Sequence, residues 1–374
     1  VWGIGTALAG SPATQAADWS AAPSLTLGVD YDTNRILSLE PRGSGGVAGN
    51  FLVHLDRATE VLDLSLTPQV DFQYFTDPTL QSANDYGVTG GLSWAGERSS
   101  VTMNAVWNNQ SLLTAEKFDT GIIDFGTRRL LTQLGGSWSL ETTERTVSSF
   151  SGSYQGTDFT GTPVATLQNS TYSTLGFNEG FVRSSQLEFD LGGSVGDFSS
   201  PSEGGTSRSY SADVGFKRQW TERLKITGDV GANEISYGAV ASRGFIFALN
   251  LSYATTVGSV SLAAQRNASP SGFGVLSERD AVQFSASRAL SDRLNFGAAF
   301  DLYRNSSAVG AITFDARTYV DASVSLSWRC TETLTFTAHV LGDGARTQGT
   351  PGDVHGANVG FQALWSPNAH SISR

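Results

Sequence analysis

Apolar and polar residues alternate with a period of two through most of the chain from Ser24 onward. In Phe245-Ile246-Phe247-Ala248-Leu249-Asn250-Leu251-Ser252-Tyr253 every odd position is large and apolar, while the even positions become small or polar. Leu294, Phe296, Ala298, Phe300 and Leu302 alternate in the same way with Asn295, Gly297, Ala299, Asp301 and Tyr303. Val320, Ala322, Val324, Leu326 and Trp328 do so with Asp321, Ser323, Ser325 and Ser327, and Leu62, Leu64, Leu66, Val70 and Phe72 with Asp63, Ser65, Thr67, Gln69 and Asp71. Side chains of a strand point to opposite faces in turn, so each segment is a strand with one greasy and one polar face. Over 145–154 and 171–181 the alternation fails, which predicts a bulge or a displaced strand end.

The connections separate a soluble sandwich from a barrel. Tight polar turns fall near Ala58, Glu97, Thr143, Ser184, Glu222, Thr256, Asp292 and Thr331, and longer Gly-, Pro- and Asn-rich loops lie between them, as at 34–44, 112–126, 157–167, 267–274 and 342–354. Short turns at one end and long loops at the other are the signature of a transmembrane β-barrel. Counting strands between connections gives about eighteen, an even number that returns both chain ends to one side. The expected fold is all-β: a transmembrane antiparallel up-and-down barrel over 17–366, with the long loops, 112–126 among them, outside the cell and open to protease. Residues 367–374 are left as a C-terminal tail.

One hairpin unit recurs. Phe216-Lys217-Arg218-Gln219-Trp220-Thr221-Glu222-Arg223-Leu224 resembles the segments around Ser291-Asp292-Arg293 and Thr331-Glu332-Thr333, each an apolar strand end, a polar turn carrying an acid and a return strand. Aromatic residues mark the strand ends. Trp94, Trp138, Trp220 and Trp328 stand just before tight turns on the apolar parity, and Trp365 closes the last strand, so five of the eight Trp predict a membrane-interface girdle. Tyr31, Tyr74, Tyr86 and Tyr237 lie near the long loops and predict the opposite girdle.

Charge and chemistry narrow the function. After the first ten residues no apolar run approaches the roughly 18–20 residues of a membrane-spanning helix. Lys and Arg number 24 against 35 Asp and Glu, a formal charge of −11, with no basic stripe for nucleic acid. Cys330 is the only cysteine, so no internal disulfide or thiolate cluster forms. Residues 1–16, an apolar run followed by small residues ending Thr14-Gln15-Ala16, read as the remnant of a secretory signal peptide; a buried strand suits the same run. Of the four histidines, His54 and His339 fall on the inward parity, without paired-ligand spacing, nucleophile elbow or phosphate loop, so neither catalysis nor a cofactor or metal is expected.

Inward parity collects Asp30, Asp63, Asp71, Glu188, Asp190, Asp213, Asp229, Asp301 and Asp321 against Lys217, Lys225 and Arg317. These are the candidate lumen-lining residues. Either a water-filled interior simply tolerates the charges, or their field disfavours anions. Arg218, Arg243, Arg288 and Arg304 have outward parity but sit near strand ends, where snorkelling lowers the cost.

The opening Ala22-Pro23-Ser24-Leu25-Thr26-Leu27-Gly28-Val29-Asp30-Tyr31-Asp32-Thr33-Asn34, with the hairpins that follow, resembles the outer-membrane β-barrel porins found beside exopolysaccharide and exosortase loci in proteobacteria. The resemblance implies a Gram-negative outer-membrane pore associated with exopolysaccharide export, with polysaccharide and periplasmic export components as partners beside the outer-membrane lipid. Val359-Gly360-Phe361-Gln362-Ala363-Leu364-Trp365 also resembles the C-terminal signal read by the barrel-assembly machinery. Two other readings stay open: a structural or adhesive barrel plugged by its own side chains, and a lipid-modifying barrel enzyme, which needs a nucleophile and histidine at the rim.

Overall fold

A computed structural model of the chain describes residues 19–117, 119–162, 164–201, 205–238, 240–308, 315–349 and 352–372. The segment expected to be a signal peptide lies outside them. The strands are β1 (Trp19–Asp32), β2 (Ser44–Ala58), β3 (Leu62–Phe75), β4 (Ala83–Ala95), β5 (Ser99–Ser111), β6 (Thr127–Thr143), β7 (Thr146–Gly161), β8 (Ser170–Ser184), β9 (Leu187–Ser200), β10 (Gly205–Gln219), β11 (Leu224–Tyr237), β12 (Val240–Ala254), β13 (Gly258–Pro270), β14 (Leu276–Ala289), β15 (Leu294–Ser307), β16 (Arg317–Arg329), β17 (Leu334–Thr347) and β18 (Val354–Trp365). Each pairs antiparallel with its sequence neighbours, and β1 pairs with β18 through Leu25↔Trp365 to Asp32↔Asn358, so the barrel of 18 strands closes without an edge. Part of the expected tail folds back as β19 (His370–Ile372) against Trp19–Ala21.

The repeated hairpin has a repeated cause. Thr221, Ser291 and Thr331 each accept two backbone N–H bonds on the side-chain oxygen, from the residues two and three positions on, at 3.0–3.3 Å. The residue before each hydroxyl donates its N–H to the carbonyl of Leu224, Leu294 or Leu334 at 2.8–2.9 Å. A hydroxyl at this place satisfies the turn's own backbone, so the chain reverses without a long loop. The predicted irregularities are bulges at strand ends, between Glu141 and Thr143 and between Val182 and Ser184, not within the poorly alternating segments. The long-loop end is less uniform than expected, because β11 and β12 run to Tyr237 and Val240 and only two residues separate them.

The outer face is apolar over a band of definite height. On β10, Phe216, Val214, Ala212 and Tyr210 point outward between Arg218 and Arg208; on β14, Ala286, Phe284 and Val282 do so between Arg288 and Asp280. Ten and eight residues separate these charges, which at about 2.5 Å of height per tilted residue gives roughly 20–25 Å, the thickness of the apolar belt of a membrane barrel. A closed antiparallel barrel with such a belt and a polar inside is the architecture of the Gram-negative outer membrane, and the chain is localised there.

Buried residues concentrate at the long-loop end. Leu37, Leu112, Leu113, Leu167, Phe198, Ile235, Leu276 and Tyr319 are all there, together with Asp32, Asn34, Glu116, Asn305 and Asp343. The core of this protein therefore sits inside the mouth of the barrel. Tyr237, expected in a girdle, packs instead against Phe198, Ile235 and Leu276.

Candidate functional site

The site is the mouth of the lumen, and the β5–β6 loop (residues 112–126) makes it. The loop opens with one helical turn, α1 (Leu112–Ala115), whose two leucines are buried, and their apolar side chains draw the loop inward. It thus folds into the barrel mouth and does not extend into solvent, contrary to the expectation for a long external loop. The loop reaches the opposite wall, nine strands from β6 in either direction. There Lys117 Nζ donates to Asp343 Oδ2 on β17 at 2.6 Å, Asn305 Nδ2 on β15 donates to Asp119 Oδ1 at 3.2 Å, and the Gly272 N–H of the β13–β14 loop donates to Asp119 Oδ2 at 3.3 Å. Gly121, at φ +74°, passes so close to the Arg317 guanidinium that a Cβ would collide with it.

Glu116 secures the near end. Its carboxylate is wholly buried, accepting from Arg129 at 3.0 Å and from the Thr120 hydroxyl at 2.9 Å. Burial, followed by the negative charge of Asp119, pushes Glu116 up to about 7 against the pull of Arg129. Burial likewise holds Asp119 above the ordinary carboxylate range, although Arg129, Arg279 and Arg317 favour its charged form. The β1–β2 loop (residues 33–43) covers the same far wall. Asn34 Nδ2 donates to the His355 carbonyl at 3.0 Å, and Leu37, at φ +49°, packs on Tyr319 and Ala345.

Below this cover a row of like charges crosses three strands. Asp301 faces Asp321, and Asp321 faces Asp343, in direct register. Like charges in that position destabilise a sheet, and each here has its own donor. Gln283 and the Tyr303 hydroxyl serve Asp301 at 3.0 and 3.2 Å, the Tyr319 hydroxyl serves Asp321 at 3.4 Å, and Lys117 serves Asp343. A second inner group, Asp190, Asp213 and Asp229 on β9, β10 and β11, is kept differently. Asn178 donates to Asp190 at 3.1 Å, and the carboxylates of Asp190 and Asp213 lie over the cross-strand Gly215 and Gly192, where any side chain would collide with them. Among the described residues, no lysine or arginine forms an ion pair with these three.

The remaining sequence-predicted residues also fall on the inner face. Glu188 pairs with Lys217 at 3.1 Å, Asp71 accepts from Asn50 at 2.6 Å, and Asp30 pairs with Arg35 at 2.7 Å. Asp63 and Lys225 lie close to the short-turn end, cross-strand from Ala58 and Gln219. Trp94, Trp138, Trp220, Trp328 and Trp365 are exposed on the outer face at that end, with Trp138 stacked on Phe150, Trp328 on Phe336 and the Arg218 guanidinium 4.0 Å over Trp220. His54 bonds Thr67 Oγ1 at 2.7 Å and Asp56 at 3.1 Å. That trio faces the interior, whereas chemistry on lipid needs a rim site.

Sequence reasoning passed over Glu116, Lys117, Asp119, Arg129, Arg279 and Asp343. The usable signal was Leu112-Leu113, an apolar pair at the start of a segment otherwise read as solvent loop. No protein-family model and no curated protein matches the chain. Solved outer-membrane barrels do. OpdK from Pseudomonas aeruginosa is similar at a TM-score of 0.48 and 11% identity, covering 93% of this chain and 99% of its own. OccK5 (OpdH) from the same organism gives 0.48 and 9%, covering 94% and 99%, and its siderophore receptor PirA gives 0.45 and 11%, covering 95% and 81%. At such identities and scores these likenesses carry no argument about what passes through the lumen.

Proposed function

We propose that the chain is a diffusion porin whose mouth is narrowed by the β5–β6 loop and whose bore favours small cations. One observation carries the reading: a loop with a buried apolar foot crosses the lumen and is tied by Lys117 and Asp119 to the far wall. Charges in the mouth are largely matched, while Asp190, Asp213 and Asp229 face the bore without a basic partner among the described residues. Such a field concentrates cations in a low-dielectric channel. Lipid contacts the outer band, the five tryptophans mark the periplasmic interface, and the assembly machinery reads β18. The link to polysaccharide export stands on the likeness of residues 22–34 alone, and a narrowed mouth speaks for small solutes.

Purified protein in a planar bilayer tests this. Ion-conducting pores with a cation preference at 0.1 M salt that fades at 1 M are expected, because the Debye length shrinks from about 10 Å to about 3 Å. Anion preference would remove the selectivity. Absence of conductance would favour the plugged, structural barrel.

A further inference from the structure

The outer rim at the long-loop end is divided into two sectors. On β1 and β3 the last outward side chains are Tyr31 and Tyr74, and on β4 Tyr86 stands one outward step below Asn84, all three tyrosines exposed. From β9 to β15 this rim carries charge of both signs, and most of it is joined across strands. Asp197 faces Arg208 at 3.8 Å, Glu234 faces Arg243 at 2.6 Å, and Arg266 faces Asp280 at 2.5 Å with Glu278 at 3.5 Å. Arg304 stands cross-strand from Asp280.

We propose that this belt is a docking surface for phosphate-bearing lipid headgroups of the outer leaflet, engaged together with divalent cations. The inference rests on the reading that the long loops face outward. Height is the first argument. On each of these strands the charge follows directly on the apolar band: Arg208 stands one outward step above Tyr210, Arg243 above Phe245 and Arg304 above Leu302. That is headgroup level, where exposed aromatics already serve the other sector. The Arg266 guanidinium lies 4.4 Å over the Phe245 ring, with its stem along the band and its head at the boundary.

Charge is the second argument. Four arginines and four carboxylates are interspersed here, so the belt has no net charge and is poorly suited to attracting one free ion. A lattice of phosphates bridged by divalent cations presents both signs at short spacing, and a belt of both signs matches it. Arginine gives planar, paired donors to phosphate, and carboxylates supply hard oxygen ligands to the bridging cations. The Arg208 and Arg243 side chains are 66% and 83% exposed even while paired, which leaves donors free.

The test uses the full chain in detergent micelles with Mg²⁺. Native mass spectrometry is run after incubation with lipid A carrying its phosphates and with lipid A stripped of them. The expected result is retention of the phosphorylated form only, lowered by EDTA. Retention should fall by at least about fivefold, the weight of one surface arginine on an anionic headgroup, in Arg208→Gln/Arg243→Gln/Arg304→Gln but not in Arg223→Gln, an exposed arginine in a turn at the opposite end of the barrel. Heat-modifiable migration on gels confirms that each variant is folded. Equal retention of both lipids, or an undiminished triple variant, would overturn the proposal. Loss of a dimer in the triple variant with lipid retention intact would assign the belt to a second copy instead. Conductance of the triple variant should match the parent, so a failed porin reading leaves this result standing. Orientation is read separately: in a Cys330→Ser background, Ser236→Cys should react with an impermeant maleimide on intact cells, and a lack of reaction would overturn the outer-leaflet placement.

Discussion

Two rows of three aspartates line the barrel, one across β15, β16 and β17 and one across β9, β10 and β11, and the chain treats them in opposite ways. Asp301, Asp321 and Asp343 are roofed by the β5–β6 loop and provided with hydroxyl, amide and ammonium donors. Asp190, Asp213 and Asp229 have glycines opposite and no cation from any described loop. Identical chemistry thus becomes an anchor on one wall and an exposed field on the other. What separates them is whether a loop reaches across the bore.

Lys117→Gln breaks the comparison most strongly. The Asp343 side chain is 1% exposed, and stranding a buried charge costs about 3–5 kcal/mol. The loop should detach, with higher single-channel conductance and a lower unfolding midpoint. Lys117→Gln combined with Asp343→Asn should regain most of the lost stability, and a double variant as unstable as the single one would show that the ion pair is not the anchor.

Acidity should tighten the same cover. The folded state raises Glu116 from its ordinary 4.5 to about 7, so it holds the proton more firmly than the unfolded chain does. Stability from this group is full below about 4.5 and is lost as pH rises toward about 7, on the order of a few kcal/mol across that window. Conductance measured at pH 5.5 and pH 8 should be lower at the acid end, and Glu116→Gln should flatten the difference. A profile unchanged by that substitution would assign the effect to another group.

The uncovered row governs selectivity. Asp190→Asn/Asp213→Asn/Asp229→Asn should reduce the cation preference several-fold at 0.1 M salt and little at 1 M. Asp301→Asn/Asp321→Asn, behind their donors and the loop, should do less. Reversal potentials giving the opposite order would end the distinction between the walls.

The smallest effect concerns the second cover. Leu37 holds a left-handed backbone while packing on Tyr319 and Ala345. Both Leu37→Ala and Leu37→Gly lose that packing, and only glycine escapes the strain, so Leu37→Gly should be about 1 kcal/mol the more stable of the two. Urea unfolding in lipid vesicles measures the difference.

The strands, their facing, the closed barrel and the place of the tryptophans were legible in the sequence, because period-two alternation and hydroxyl-bearing turns are local properties that act within a few residues. Asp301, Asp321, Asp213 and Asp229 could be put on the inner face by parity alone. Parity could not say which of them would be covered. That depended on closure, which sets β6 opposite β15 and brings Lys117 to Asp343, 226 residues away in sequence. Even the role of residues 112–126 was reversed, from exposed loop to cover of the lumen mouth, because burying Leu112 and Leu113 is worth more than solvating a polar loop only when a closed wall stands ready to receive them. Local alternation alone thus specifies a membrane barrel with a polar, acidic interior. Closure of the wall, which brings distant loops and strands together, places its core in its mouth and leaves particular carboxylates to face the bore.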